Sequence, residues 1–329
     1  MNRPTKKNSA QRQGWIYLGK LVIIAFGILF CLVALKFFTE HRLAPRNSGI
    51  SGALAQPRLD LLLIGSSHTR KSYDMRLIDK GTGVPASFMI TYDGADMVVI
   101  SQILDYLVTK QDHCPRYLVV EAYSAMLARK HDLQDTRYYF DSPPSLKMTI
   151  LRSYQSEQGY WATILNDFDL VVNRGNDQII TYPFSAPIVE NESYKGGRTD
   201  FYFPGMSARE FAMLGLNLNS NLPNPAQLAA VHHIIDVAHN HQIELIFIDT
   251  PMPQPVSSNP DIQKLKKEFR EILAARQVPY IDGDQGFPIN DPSLFSDRNH
   301  LSSKGREEFT KKIIVELKSW MASHPVNEK

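Results

Sequence analysis

Cysteine is nearly absent: there are two in 329 residues, Cys31 inside an apolar N-terminal stretch and Cys114 far beyond it. Thiols so placed are not expected to pair, and the count excludes a disulfide scaffold and a multi-cysteine zinc site. The chain also lacks an excess of either charge, with a formal net charge of +2. That argues against a nucleic-acid binder, which normally carries a strongly basic patch or domain. There is no acidic or basic tail long enough to act as an interaction arm, no internal repeat and no low-complexity tract. What remains is 43% hydrophobic and 21% charged residues, the composition of a globular protein with a real core. The length allows one large domain or two small ones.

One long hydrophobic run is present. Residues 15–38 read WIYLGKLVIIAFGILFCLVALKFF. The uncharged heart, Leu21 to Leu35, would span only about 22 Å as a helix, against a hydrocarbon core of about 30 Å. Lys20 and Lys36 close the gap by extending their ammonium groups to the two interfaces, beside Trp15, Tyr17 and Phe38. A cleaved signal peptide is the competing reading, because Ala53-Leu54-Ala55 resembles a cleavage site, but that site lies far past the apolar run. Residues 15–38 are therefore expected to be an uncleaved transmembrane anchor. Arg3, Lys6, Lys7, Arg12 and Lys20 precede the centre of the run, and Lys36, Arg42 and Arg46 follow it. This bias expects residues 1–14 in the cytoplasm and the rest of the chain in the periplasm or outside the cell.

Residues 39–57 are polar and small and read as a linker to an α/β domain over 58–329. Short apolar runs at Leu59–Ile64, Ser87–Ile90, Tyr117–Glu121, Glu244–Ile248 and Pro279–Ile281 alternate with helical patterns near Arg70–Lys80, Ala95–Thr109, Pro225–His241, Asp261–Arg276 and Ser303–Ala322. Alternation of this kind predicts a five-stranded parallel sheet covered on both faces, a flavodoxin-like three-layer sandwich. The rhythm breaks once, over about 123–222, where aromatics such as Tyr138, Tyr139, Tyr160, Trp161, Tyr202 and Phe203 gather. So long an interruption reads as a functional insertion, expected as a partly helical cap near the C-terminal strand edge.

The first strand runs directly into Gly65-Ser66-Ser67-His68. Strand C-termini are where catalytic groups collect in open α/β sheets, and the N–H groups of a following helix can bind an anion. Close to the end of the chain, Asp297-Arg298-Asn299-His300 precedes the last helical pattern. An aspartate three residues ahead of a histidine can accept its Nδ1 proton, freeing Nε2 to take a proton from a serine. Either motif alone is weak; the two in this order are far more specific.

The order of these blocks resembles the SGNH (GDSL-type) hydrolase superfamily, and within it the membrane-anchored DltD-like and AlgJ/AlgX-like proteins of cell-envelope acylation. The resemblance spans about Leu59 to Trp320. It implies Ser67 as nucleophile, His300 as base and Asp297 as its partner. Tyr92-Asp93-Gly94-Ala95 after the second strand places an oxyanion-hole N–H on Gly94, beside that of Ser67. Where the family's third block carries Gly-x-Asn-Asp, this chain has Glu121-Ala122-Tyr123-Ser124, a departure shared in kind with DltD-like members. The implied activity is that of a serine esterase or O-acyltransferase on an envelope glycan or another acylated polymer, with a membrane-bound O-acyltransferase as a partner and no cofactor. A non-catalytic glycan-binding or scaffold protein of the same fold is the alternative.

Plainer readings stand beside these. Ser67 can be a helix N-cap, and an offset of one residue would make Ser66 the nucleophile. Asp297 and His300 can be a solvated loop pair. His68 and Arg70 fit the turn and the exposed helix face better than catalysis. His232, His233, His239 and His241 lack the four-residue spacing of zinc-binding helices, and no metal site is expected from them. Asn191-Glu192-Ser193 is a sequon that matters only in a eukaryotic secretory setting.

Overall fold

The computed structural model describes residues 15–31, 34, 48–108, 113–129, 131, 138, 142–143, 145–146, 149–150, 152–153, 193–198, 202–215 and 222–325. The chain divides into two compact units, Met1–Ala44 with Ile164–Pro187 and Pro45–Thr163 with Ile188–Lys329. In the first, residues 15–31 form helix α1, on which Trp15, Leu21, Ile23, Phe26 and Phe30 are exposed. Among the described residues no helix is long and apolar enough to cross a membrane. Most of the remainder of the expected 15–38 span lies outside the described residues.

The second unit holds the parallel sheet. Its strands are β1 (Leu61–Gly65), β2 (Ser87–Thr91), β3 (Tyr117–Glu121), β6 (Glu244–Ile248) and β7 (Tyr280–Ile281), with a two-stranded ribbon of β4 (Ser193–Tyr194) and β5 (Gly197–Arg198) between them in sequence. The five strands lie in the order β2-β1-β3-β6-β7, all parallel. Side chains alternate between faces, so Leu61, Leu63, Met89, Val119, Ile246 and Ile248 join one apolar cluster with Phe309, Ile313, Leu317 and Trp320. Leu62, Ile64, Leu118, Val120 and Phe247 are equally buried and point to the opposite layer, where Phe247 meets Phe269 edge-on. Strands buried on both faces explain why LLLI, YLVV and LIFI read as unbroken apolar runs.

Helix α2 (Gly49–Leu54) precedes the first strand, and the others described in this unit are α3 (Ser67–Ser72), α4 (Met75–Thr82), α5 (Met97–Val108), α6 (Ala208–Ala212), α7 (Pro225–Asn240), α8 (Gln254–Ser257), α9 (Pro260–Ala275) and α10 (Ser303–Ser323). Two of them differ from expectation. The expected linker 39–57 includes α2, whose Ile50 and Ala53 are fully buried and whose Ile50 N–H donates to the Tyr92 hydroxyl at 3.0 Å. Its small residues, Gly49, Gly52 and Ala53, match the composition of a linker and also allow a short helix to pack closely. The single helix expected over Arg70–Lys80 is two helices. Asp74 takes an extended backbone and accepts from the N–H groups of Arg76 and Leu77 at 2.9 and 3.4 Å, so it ends one helix and caps the next. The nucleophile candidate therefore sits on a six-residue helix of its own, beginning at Ser67.

The C-terminal strand edge is held firmly. After β6 and β7, Asp249, Asp282 and Asp284 surround the buried Lys266 ammonium at 2.9, 2.6 and 2.8 Å. Burial pushes the Asp249 carboxyl up to about 7, against the pull of Lys266. Such a group binds its proton more readily folded than unfolded, so its contribution to stability declines as pH rises from its usual 3.8 towards 7.

Candidate active site

Five consecutive N–H groups account for the local geometry at the end of β1. Ser66 is the N-cap of α3, and its Oγ accepts from the His68 N–H at 3.2 Å. The N–H groups of Ser66 and Thr69 donate to Oε2 of Glu121 at 2.7 and 3.1 Å, and that of Arg70 to the Ser66 carbonyl at 3.2 Å. Only the Ser67 N–H has no partner among the described residues, which is the condition for an oxyanion donor. The Ser66 hydroxyl is buried and donates to Oε1 of Glu121 at 2.7 Å. Ser67 is partly exposed. Its Oγ lies 2.8 Å from Nε2 of His300. Ser66 is thus bound into the turn, and Ser67 is the serine that faces His300.

His300 stands on a tight loop ahead of α10. Phe295 bridges Leu301, and the Ser296 N–H donates to the His300 carbonyl at 2.9 Å. Asp297 is folded back so that both its oxygens lie 2.9 Å from Nδ1 of His300, while Oδ1 also accepts from the Asn299 N–H at 2.8 Å. Burial works against ionising Asp297, but the His300 bond and charge, the Asn299 N–H and Lys71 outweigh it and hold the carboxyl down at about 2. The carboxylate is therefore present to fix Nδ1–H on the imidazole and leave Nε2 as acceptor.

Gly94 lies in the turn that follows β2. Thr91 pairs with Gly65 in register, the Tyr92 N–H donates to the Gly65 carbonyl at 3.3 Å, and the Ala95 N–H closes onto the Tyr92 carbonyl at 3.1 Å. Arg70 of α3 pairs with Asp93 of this turn. The φ of +67° at Gly94 is one that side chains with a Cβ rarely adopt. Its N–H has no partner among the described residues. The four residues expected from the sequence thus stand on two adjacent strand ends and one loop.

Three neighbours stand outside the expected set, among them His68, expected on the turn and the exposed helix face and instead buried. It stacks on Tyr123 at 3.9 Å between ring centroids and lies 5.0 Å from the His300 ring. Burial, reinforced by the His300 charge, holds its imidazole well below the usual 6.5, so it presents a neutral ring to His300. Lys71 lies 3.7 Å from Asp297 and 4.8 Å above the Phe203 ring. The third is Glu121. An ionisable residue closing the buried run YLVV was a signal in itself, since carboxylates are buried only with partners.

The insertion meets the site at Tyr123 and, through Lys71, at Phe203, while Tyr138 packs 5.2 Å from Tyr92. Tyr139, Tyr160 and Trp161, and the start of the sequon at Asn191, lie outside the described residues. Among the described residues no group of histidines, cysteines or carboxylates is arranged to hold a metal, and His233 pairs with Asp105 at 2.7 Å.

No protein-family model and no curated protein matches the chain. Solved structures do. A lipase/acylhydrolase from Enterococcus faecalis aligns at 13% identity over 79% of this chain and 96% of its own, with a TM-score of 0.38. A GDSL-like lipase from Bacteroides thetaiotaomicron aligns at 8% identity over 79% and 89%, also at 0.38.

Proposed function

We propose that this chain is an extracytoplasmic serine esterase or O-acyltransferase, anchored in the cytoplasmic membrane by its N-terminal apolar segment and acting on an acylated envelope glycan or related polymer. The observation that carries the reading is the continuous relay from Ser67 Oγ through His300 to Asp297. Ser67 attacks the acyl carbonyl as His300 Nε2 takes its proton, and the oxyanion settles on the N–H groups of Ser67 and Gly94. The ester C–O bond breaks, the departing oxygen receives the proton from His300, and the acyl group remains on Ser67. Water or a sugar hydroxyl then attacks the acyl carbon as His300 takes its proton; the bond from the acyl carbon to Ser67 Oγ breaks, and His300 returns the proton to Ser67 Oγ. The glycan and a membrane-bound O-acyltransferase partner rest on the resemblance of the sequence blocks. An aligned relay with a partly exposed serine weighs against a purely scaffolding role.

A fluorophosphonate probe should label the full chain at Ser67. Labelling should vanish in Ser67→Ala and survive in Ser66→Ala. Absence of labelling in the wild type, or labelling at Ser66, would overturn the reading.

The anchor is supported by the exposed apolar side chains of α1 and the basic bias ahead of it. A reporter enzyme active only outside the cytoplasm, fused after Lys329, should be active, and the chain should stay with membranes in alkaline carbonate. Activity confined to a cytoplasmic reporter would reverse the orientation and remove the envelope substrate with it.

A further inference from the structure

The buried carboxylate of Glu121 makes four hydrogen bonds, all to the turn that presents the nucleophile. Oε2 accepts from the Ser66 N–H at 2.7 Å, the Thr69 N–H at 3.1 Å and the Thr69 hydroxyl at 2.6 Å; Oε1 accepts from the Ser66 hydroxyl at 2.7 Å. Glu121 is itself held. It closes β3 beside β1, it pairs in register with Ile248, and the Ala122 N–H that follows donates to the Ile248 carbonyl at 2.9 Å. A Cβ on Gly65 would stand 2.1 Å from the Thr69 hydroxyl oxygen and 2.5 Å from Oε2 of Glu121, so the glycine leaves the space that the carboxylate fills.

We infer that Glu121 is a positioning residue, whose carboxylate locks the Ser66–Thr69 turn so that Ser67 presents its hydroxyl to His300 and the turn's one unpartnered N–H to the oxyanion. The inference rests on the serine-nucleophile reading. It follows from the accounting of N–H groups. Without Glu121, the N–H groups of Ser66 and Thr69 would compete with that of Ser67 for any anion entering the turn, and Ser66 would be free to rotate beside it. Glu121 bonds only to the turn and acts through Ser67, without itself contacting the oxyanion.

Three variants of the full chain test this, with kcat and KM for p-nitrophenyl acetate, the rate of fluorophosphonate labelling at Ser67, and thermal melting as readouts. Glu121→Gln keeps the shape: the amide oxygen can take the three donors on Oε2 and the amide N–H₂ can donate to the Ser66 hydroxyl. Its kcat should stay within about 10-fold of wild type. Glu121→Ala should lose about 100-fold in kcat, the scale of a misplaced reacting group, with KM within about 3-fold. Thr69→Val removes one of the four bonds at nearly constant volume and should lower kcat by about 10-fold while the protein still melts cooperatively. A folded Glu121→Ala labelled at the wild-type rate would overturn the inference. So would a Glu121→Gln as impaired as Glu121→Ala, since charge and not geometry would then matter. If Glu121→Ala does not fold, Thr69→Val decides: wild-type kcat there overturns the proposal, and reduced kcat at unchanged KM supports it. Failure of the serine-nucleophile reading is read separately, in the unlabelled wild type.

Discussion

Ser67→Ala and His300→Ala should each lower kcat for ester hydrolysis by roughly 10⁴–10⁶-fold, and the double variant should be scarcely worse than either. The reason lies in the 2.8 Å contact between Ser67 Oγ and His300 Nε2. A serine hydroxyl is a poor nucleophile until a base takes its proton, and a base without its serine has nothing to activate. The two groups therefore act as one, and removing the second after the first costs almost nothing more. Both variants should fold, because neither change empties a large apolar volume. Ser66→Ala provides the contrast. It removes an N-cap and one donor to Glu121, so it should cost about 1–2 kcal/mol of stability and, like Thr69→Val, lower kcat by only about 10-fold. Steady-state kinetics beside denaturant titration separates the two outcomes. A Ser67→Ala protein with full activity would remove Ser67 from the mechanism.

Much of this site is legible in the sequence, and the reason is local. Buried parallel strands announce themselves as runs such as LLLI and LIFI, and the resemblance of their flanking blocks placed Ser67, Gly94, Asp297 and His300. Local geometry also placed Asp297 within reach of Nδ1, because three residues of tight loop suffice. The choice between Ser66 and Ser67 was harder, since it turns on which serine is the N-cap, and one residue of register exchanges a buried hydroxyl for an exposed one. Glu121 was visible only as a departure from an expected block. Its role depends on β3 lying directly beside β1, a pairing between residues 55 apart in sequence for Ser66 and Glu121. No local pattern encodes that. Helix α2 was missed for another reason: Ser, Gly and Ala in a row fit a flexible linker and a closely packed helix equally well.

Asp297→Asn is expected to lower kcat by about 10⁴-fold while leaving the loop folded. In the wild type both oxygens of Asp297 face Nδ1 at 2.9 Å, which places the proton on Nδ1 and the lone pair on Nε2 towards Ser67. An amide in the same place can turn its N–H₂ to Nδ1. The proton then sits on Nε2, and His300 can no longer accept one from Ser67. The pH dependence follows from the carboxyl being held at about 2, below its usual 3.8. A carboxyl depressed in the fold contributes stability above the unfolded value and loses it as pH falls from 3.8 towards 2. The wild type should therefore shed part of its stability across that acid window, and Asp297→Asn should not show that part. Activity lost between neutral pH and about pH 4 must then come from groups other than Asp297. Lys71→Met is the control, because Lys71 lies 3.7 Å from Asp297 and leaves the bond to His300 in place. It should change kcat far less than Asp297→Asn. The side chain of Asp297 is 45% exposed, so a purely capping role through the Asn299 N–H is the competing account. An Asp297→Asn protein within about 10-fold of wild-type kcat would favour that account and reduce the triad to a Ser67–His300 pair.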